Sequence, residues 1–351
     1  MTDTKKIVVL AGDGIGEEIM ASGLAVLDAV ADRYGYHFDL DPQPFGGAGI
    51  DACGHPYPKA TQEALHQADA ILLGAIGAPQ YEHCEVTPEA GLLAMRKDLG
   101  LFANYRPVKV GASLADLSPL KADRVIGTDF VVVRELTGGA YFGDKVEGTD
   151  YASDLMPYRR EEVERIARKA FELAQSRRGK LTSVDKANVL ASSRLWRHTV
   201  EAIKADYPDV EVNHLYVDAA SMKIVTQPQD FDVVLTENLF GDILSDEASV
   251  LSGSLGMQAS ASHGTVGPSL YEPIHGSAPD IAGQNIANPM SMILSVTMML
   301  RQSFAFNEAA DFVEASAEEL MAKGIKTKDL GGEASTTAFT QALLDLMKGA
   351  K

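Results

Sequence analysis

Short β-branched or apolar runs alternate with amphipathic helical patterns along the whole chain, and that rhythm restricts it to an α/β fold. Ile7–Leu10 precedes a helix predicted over Glu17–Arg33, with Ile19, Met20, Leu24, Leu27 and Val30 near one face. Ala70–Leu73 precedes a helix over Pro88–Asp98, and Phe130–Val133 leads into a glycine-rich segment. A helix over Arg160–Gln175 is followed by strands at Leu181–Val184, Val210–Val217 and Phe231–Leu235, the last two each leading into a helix. The final third reads as helical over Met290–Phe304, Glu308–Lys323 and Ser335–Met347. Apolar strands of this kind belong to sheets covered on both faces. At 351 residues the chain exceeds one ordinary core, so two domains are expected. The stretch from Gly138 to Tyr158 breaks the rhythm with aromatic and turn residues. It reads as a protruding β-arm used between subunits or as a surface loop.

Charge excludes several functions. Lys plus Arg number 31 against 49 Asp plus Glu, a formal net charge of −18. Such a surface repels phosphate backbones and anionic lipid, so no nucleic-acid or membrane partner is expected. The most apolar stretch, Pro289–Leu300, is shorter than the roughly 18 residues of a membrane span and reads as a buried helix. The first six residues carry no secretory apolar core. Cys53 and Cys84 are the only cysteines. Two thiols make no disulfide framework, and a cytoplasmic protein is expected.

Two glycine-containing loops compete for a dinucleotide. Gly12-Asp-Gly-Ile-Gly16 lies between a strand and a helix, but the third glycine of the dinucleotide fingerprint is replaced by Glu17. Glu17 and Glu18 favour the helix dipole and repel a pyrophosphate, which reads as a tight turn rather than a phosphate cradle. In Glu272-Pro-Ile-His-Gly-Ser-Ala-Pro-Asp-Ile-Ala-Gly283, small residues at Gly276, Ser277 and Ala278 let backbone amides approach a ligand. Asp280 suits the two hydroxyls of an adenosine ribose and repels a 2′-phosphate, which favours NAD over NADP.

Asp242 and Asp246 stand four residues apart, on one helix face. Hard oxygen ligands at this spacing suit Mg2+ or Mn2+; the alternative is a solvated acidic face. Asp218 is a possible third ligand or a helix N-cap. Arg96, Arg106 and Arg134 sit among apolar neighbours and can bind carboxylates in bidentate fashion, or form surface ion pairs. Arg134 and Lys186 fall at strand ends, where α/β proteins bind ligands. A lysine near a cation can serve as a base, and Tyr141 can donate a proton.

Gly12-Asp-Gly-Ile-Gly16, Gly91-Leu-Leu-Ala-Met-Arg-Lys97, Leu101-Phe-Ala-Asn-Tyr-Arg-Pro107 and Arg134-Glu-Leu-Thr-Gly-Gly139 resemble the metal-dependent β-decarboxylating dehydrogenases. So do Ser183-Val-Asp-Lys-Ala-Asn188, Thr236-Glu-Asn-Leu-Phe-Gly-Asp-Ile-Leu-Ser-Asp246 and His275-Gly-Ser-Ala-Pro-Asp-Ile-Ala-Gly283, and the likeness runs on to Asp329-Leu-Gly-Gly332. The resemblance implies an isocitrate/isopropylmalate dehydrogenase-like open α/β sheet that is not a Rossmann fold. It implies a discontinuous cofactor-binding domain over 1–101 and 254–351. A second domain over 102–253 then carries the dimer contact, the arm and the metal site. It also implies a homodimer with shared active sites, in which the arm around Gly139–Tyr158 pairs with its mate's and Lys186 and Asp218 reach the other subunit's site.

The implied reaction is hydride transfer from C2 of a 2-hydroxy acid to NAD, then loss of CO2 from the β-carboxylate. The family assigns the metal to Asp218, Asp242 and Asp246, and the substrate's carboxylates to Arg96, Arg106 and Arg134, with Asp218 beside them. Lys186 is the implied base and Tyr141 the proton donor to the enolate carbon. NAD is assigned to Ile15, Glu272, His275, Gly276, Ser277, Ala278, Asp280, Ile281 and Asn288. The chain departs from the family pattern at Glu17, Ala140 and Met257-Gln-Ala259. A catalytically silent metal-binding protein on this scaffold would have lost one of the acidic, basic or proton-transfer positions, and none is replaced.

Substrate choice rests on Glu89-Ala-Gly-Leu-Leu93, about one turn ahead of Arg96. Leu92 and Leu93 offer no donor to the third carboxylate of isocitrate, and burying that charge against leucine is costly. An isopropyl-sized branch fills the same volume and gains from burial. Val189 of the partner subunit closes the apolar wall in this reading. The rivals are homoisocitrate, isocitrate and tartrate or malate, and the alternative reading of the two leucines is plain core.

Overall fold

The computed structural model describes residues 4–83, 85–111 and 114–350. Cys84 and the first three residues, which bear on the expected compartment, lie outside the described residues. The chain divides into two compact units: one joins the segments up to Leu101 and from Ser254, the other is Phe102–Gly253.

The first unit opens with β1 (Lys5–Gly12), β2 (Phe38–Pro42) and β3 (Ala70–Ala75). β1 lies between the other two and runs parallel to both. The helix Gly16–Tyr34 follows β1 and buries Ile19, Met20, Val26, Leu27 and Val30, whereas Leu24 stays half-buried. It stops at Gly35, whose φ of 69° is the left-handed geometry that glycine reaches without strain. The helix Pro88–Asp98 begins where Thr87 accepts the Ala90 N–H and Pro88 fills the first turn. Met95 of this helix joins Val8, Leu10, Ile71, Leu73 and Phe45 in one buried cluster.

The second unit carries β4 (Ala103–Lys109) and β5 (Asp129–Glu135), paired antiparallel. The arm region holds only a short exposed antiparallel pair, β6 (Lys145–Val146) and β7 (Ser153–Asp154). Then come β8 (Lys180–Asp185), β9 (Glu211–Tyr216) and β10 (Val233–Thr236). The order is β4-β5-β10-β8-β9, and all pairs from β5 onward are parallel. Trp196, Phe171, Ile166 and Val233 centre the core on one face; Phe130, Phe231, Ile224 and Leu244 centre it on the other.

The chain returns to the first unit with β11 (Ala259–His263) and β12 (Ser269–Pro273), antiparallel to each other, with β12 parallel to β3. The order there is β2-β1-β3-β12-β11. The helix Met290–Gln302 packs on β11 and β12; Asn307–Ala322 packs on it, and Thr336–Gly349 packs on Asn307–Ala322 and Gly16–Tyr34. The architecture is the expected α/β one. Periodicity did not reveal β2, β4, β11 or β12. Ala-Ser-Ala-Ser-His in β11 has no β-branched residue, and β4 carries Asn104, Arg106 and Pro107, so neither resembles an apolar strand. Among the described residues no helix is long and apolar enough to cross a membrane.

Candidate active site

Past the carboxyl ends of β5 and β10, where parallel sheets place their ligands, Arg134, Tyr141, Asp242 and Asp246 gather with Arg106 of β4, whereas Lys186, past the end of β8, pairs with Asp218. The helix Asn238–Ser249 follows β10 directly, with Glu237 at its N-cap. It carries Asp242 and Asp246 one turn apart. Arg134 at the end of β5 is nearly buried, with 4% of its side chain exposed. Its Nε and Nη2 donate to Asn238 Oδ1 at 2.9 and 2.7 Å, and its Nη1 donates to Asp242. Arg106 of β4 donates to Asn104 Oδ1 at 3.1 Å, Ser245 Oγ at 2.7 Å and Asp246 Oδ1 at 3.0 Å. Its Nη2 lies 3.5 Å from Asp242 Oδ1. The Arg106 guanidinium thus spans both carboxylates and relieves their repulsion.

The Tyr141 hydroxyl donates to Asp242 Oδ2. Burial, then the hydrogen bond to Asp242 and its charge, raises the phenol pKa, against a lowering influence of Arg134. Tyr141 therefore keeps its proton at neutral pH, as a proton donor must.

Asp218 is not an N-cap. Tyr216 occupies that position of the helix Val217–Thr226, and Asp218 lies in its first turn. Lys186 Nζ donates to Asp218 Oδ1 at 2.7 Å, which holds that carboxyl below its ordinary range. Among the described residues, no three histidine, cysteine or carboxylate side chains form a metal-binding group. Asp242 and Asp246 are the two carboxylates on this helix face, and 64% of the Asp246 side chain is exposed. The pair fits a hard divalent cation whose remaining ligands come from elsewhere.

In the first unit the Gly12–Gly16 turn is packed rather than open. A Cβ at Gly12 would collide with the Ala75 carbonyl, and one at Gly14 with Ser277. Ile15 is buried, and its N–H donates to the Ser277 carbonyl at 2.8 Å. The Ser277 hydroxyl donates to the Gly77 carbonyl, so the side chain is committed to the fold. Ala278 holds a φ of 40°, rare for a residue with a Cβ, and such strain clusters at functional sites. Gly276 has open space where a Cβ would stand. His275 Nδ1 lies 2.9 Å from the Gly276 carbonyl and Nε2 2.8 Å from Ser291 Oγ. Burial lowers its pKa, leaving a neutral ring with the proton on Nδ1. Asp280 is exposed and Ile281 half-buried. The Asn288 amide donates to Asp329 at 2.9 Å and its oxygen accepts from the Met290 N–H at 3.0 Å. An exposed carboxylate, an open glycine and a neutral imidazole on one loop fit an adenosine moiety.

The helix Pro88–Asp98 sets Leu92 one turn before Arg96 and leaves Leu92 and Leu93 half-buried. Leu92 rests on the first unit's buried cluster. Arg96 Nη2 pairs with Glu272 Oε1 at 3.0 Å, joining two residues assigned separately to substrate and cofactor. Arg96 Nε is buried with no hydrogen-bond partner. Val189 is 62% exposed.

A model of the isocitrate/isopropylmalate dehydrogenase family matches residues 6–345. The chain belongs to that family. A 3-isopropylmalate dehydrogenase of Streptococcus thermophilus is 60% identical over 341 residues, 97% of this chain and 99% of the relative. One of Lactococcus lactis is 55% identical over 342 residues, with the same coverage. Among solved structures, the isocitrate dehydrogenase of Methylococcus capsulatus is 34% identical, with a TM-score of 0.88 over 98% of this chain and 99% of its own. The β-decarboxylating dehydrogenase of Thermococcus kodakarensis is 35% identical, with a TM-score of 0.82 over 98% of this chain and 96% of its own.

Family motifs did not single out four residues that hold this geometry. Asn238 fixes Arg134 and donates to the Gly138 carbonyl at 3.0 Å, three residues from Tyr141. Ser245 fixes Arg106. Asp13 accepts the N–H groups of Gly47, Ala48 and Gly77. Glu18 accepts those of Gly283 and Asn285. Asn238 and Ser245 were findable, because they share a helix face with Asp242 at spacings of four and three.

Proposed function

We propose that this chain catalyses the NAD-dependent oxidative decarboxylation of (2R,3S)-3-isopropylmalate to 4-methyl-2-oxopentanoate and CO2. This is a step of leucine biosynthesis, run here by a cytoplasmic homodimer with Mg2+ or Mn2+. The observation that carries the reading is the meeting of Arg106, Arg134 and Tyr141 at Asp242, with Asp246 one helical turn further on. Relatives covering nearly the whole chain bear the name of this activity.

The bound groups supply hydride acceptance at nicotinamide and positive charge beside the substrate's oxygens. Asp242 and Asp246 hold the cation, with Asp218 of the partner subunit as the third carboxylate. Arg106 and Arg134 exchange part of their carboxylate contacts for those of the substrate, and the Arg96 guanidinium binds another. Lys186 of the partner subunit takes the C2 hydroxyl proton as the hydride leaves. The β-carboxylate departs as CO2, and Tyr141 gives its proton to C3. Leu92 and Leu93 receive the isopropyl branch, and Val189 of the partner subunit closes over it.

The second domain supports the two-subunit reading through exposed apolar side chains. These are Met222 and Val225 on Val217–Thr226, Ile243 on Asn238–Ser249, and Val250 just after it. A second copy covering that face would also bring Lys186 and Asp218 to its neighbour.

Purified chain given 3-isopropylmalate, NAD+ and Mg2+ is expected to form NADH, CO2 and 4-methyl-2-oxopentanoate in equal amounts. NADH without CO2, or no NADH, refutes the proposal.

A further inference from the structure

Glu18 lies in the first turn of the helix Gly16–Tyr34, and the proposed chemistry gives it no role. Its Oε1 accepts the Gly283 N–H at 2.6 Å and its Oε2 the Asn285 N–H at 3.1 Å. Both residues are left-handed, with φ of 75° and 57°. The loop before them is tightly folded. Ile281 N–H donates to the Ala278 carbonyl at 3.1 Å, Gln284 N–H to the Ile281 carbonyl at 3.2 Å, and the Gln284 side chain to the Asp280 carbonyl at 2.7 Å. The far side is anchored without Glu18. Thr336 N–H donates to the Asn285 carbonyl and Thr337 N–H to Asn285 Oδ1, each at 3.0 Å.

Backbone amides that converge around left-handed residues make a concavity for anions. Here the anion is the protein's own. Asp280, three residues before Gly283, is the exposed carboxylate assigned to the adenosine ribose. A phosphate on that ribose would meet the Asp280 carboxylate, and the amide pair of Gly283 and Asn285 on the same loop is already engaged by Glu18.

We propose that Glu18 is a second determinant of coenzyme choice, because its carboxylate fills the Gly283–Asn285 amide pair and denies it to the 2′-phosphate of NADP+. The inference rests on the proposed placement of the coenzyme on the 275–285 loop. Its role is to position and occupy rather than to touch the reacting atoms.

The test is calorimetric titration of the full chain with NAD+ and, separately, NADP+, for wild type, Glu18→Gln, Glu18→Asp and Asp280→Lys. Glu18→Gln removes the charge and sets an amide donor against one loop N–H. The ratio of Kd for NADP+ to Kd for NAD+ should fall by about tenfold, the scale of one charge-assisted hydrogen bond. Glu18→Asp is one methylene too short to span both amides and should fall between Gln and wild type. It decides the matter alone if Glu18→Gln does not fold. An unchanged ratio, or equal weakening of both coenzymes, makes Glu18 a strap for the loop and overturns the proposal. A shift in Asp280→Lys without one in the Glu18 variants removes only the role of Glu18. No shift in any variant removes the coenzyme placement as well.

Discussion

Replacing Asp13 by Asn should loosen the coenzyme side of the first unit while changing almost no volume. Asp13 is 8% exposed. Its Oδ2 accepts the N–H groups of Gly47 at 2.8 Å and Gly77 at 2.7 Å, and its Oδ1 accepts that of Ala48 at 2.9 Å. An asparagine oxygen can serve the first two, but its NH2 group then faces the Ala48 N–H, donor against donor. One charge-assisted bond is lost, the other two weaken with the charge, and the part-buried Ala48 N–H is left unpaired. The sum is about 2–4 kcal/mol, a large part of a typical native stability. The damage should also travel. The Gly77 carbonyl holds the Ser277 hydroxyl, and the Ser277 carbonyl holds the Ile15 N–H at 2.8 Å. Urea unfolding measures the stability, and steady-state kinetics with each substrate varied in turn measures the rest. KM for NAD+ should rise more than KM for 3-isopropylmalate. A stability change under about 0.5 kcal/mol, the range of an ordinary surface substitution, with both KM values unchanged, would refute the reasoning.

Burial, opposed by the Ser193 hydrogen bond and reinforced by Asp185, raises the Glu237 carboxyl from 4.5 to about 7. The folded state therefore keeps a proton that the unfolded chain releases, and stability is lost as pH rises from the unfolded value through about 7. Glu237→Gln should flatten that loss, which is on the order of 3 kcal/mol by linkage. Urea midpoints across this range that fall equally in both proteins would contradict it. EDTA should abolish NADH formation and Mg2+ or Mn2+ restore it; full turnover in metal-stripped protein would remove the carboxylate pair from the mechanism. Mixing inactive Lys186→Ala with inactive Arg134→Ala subunits should regain activity, since one site of the heterodimer is then intact. Heterodimers that form and stay inactive would count against shared sites.

Much of the fold was legible because its signals are local. Thr87-Pro88 starts a helix and Gly35 ends one through chemistry within a few residues, and Phe130–Val133 is a buried strand on composition alone. The small-residue strand β11 was not legible, because its strand identity comes from pairing with β12 rather than from its own side chains. The site divides in the same way. The i,i+4 carboxylates and the strand-end Arg134 are local facts. That Asp13 reaches Gly77, 64 residues on, or Glu18 reaches Gly283, 265 residues on, depends on which loops the sheet order sets side by side. Glu18 reads from sequence as unfit to stand beside a phosphate, and Asp13 carries no such mark. Only the fold reveals that both hold backbone amides.

In the proposed reaction an apolar branch, not a third carboxylate, sits beside Leu92 and Leu93. The direct measurement is kcat/KM for 3-isopropylmalate, isocitrate, homoisocitrate and malate at saturating NAD+ and Mg2+, in wild type and in Leu92→Ala. Wild type should prefer 3-isopropylmalate over each rival by at least about tenfold, the scale on which hydrophobic pockets discriminate. Leu92→Ala should reduce that value far more than the value for malate, which has no branch to lose. A wild-type preference for either tricarboxylate, or equal losses for both acids in the variant, would contradict the account.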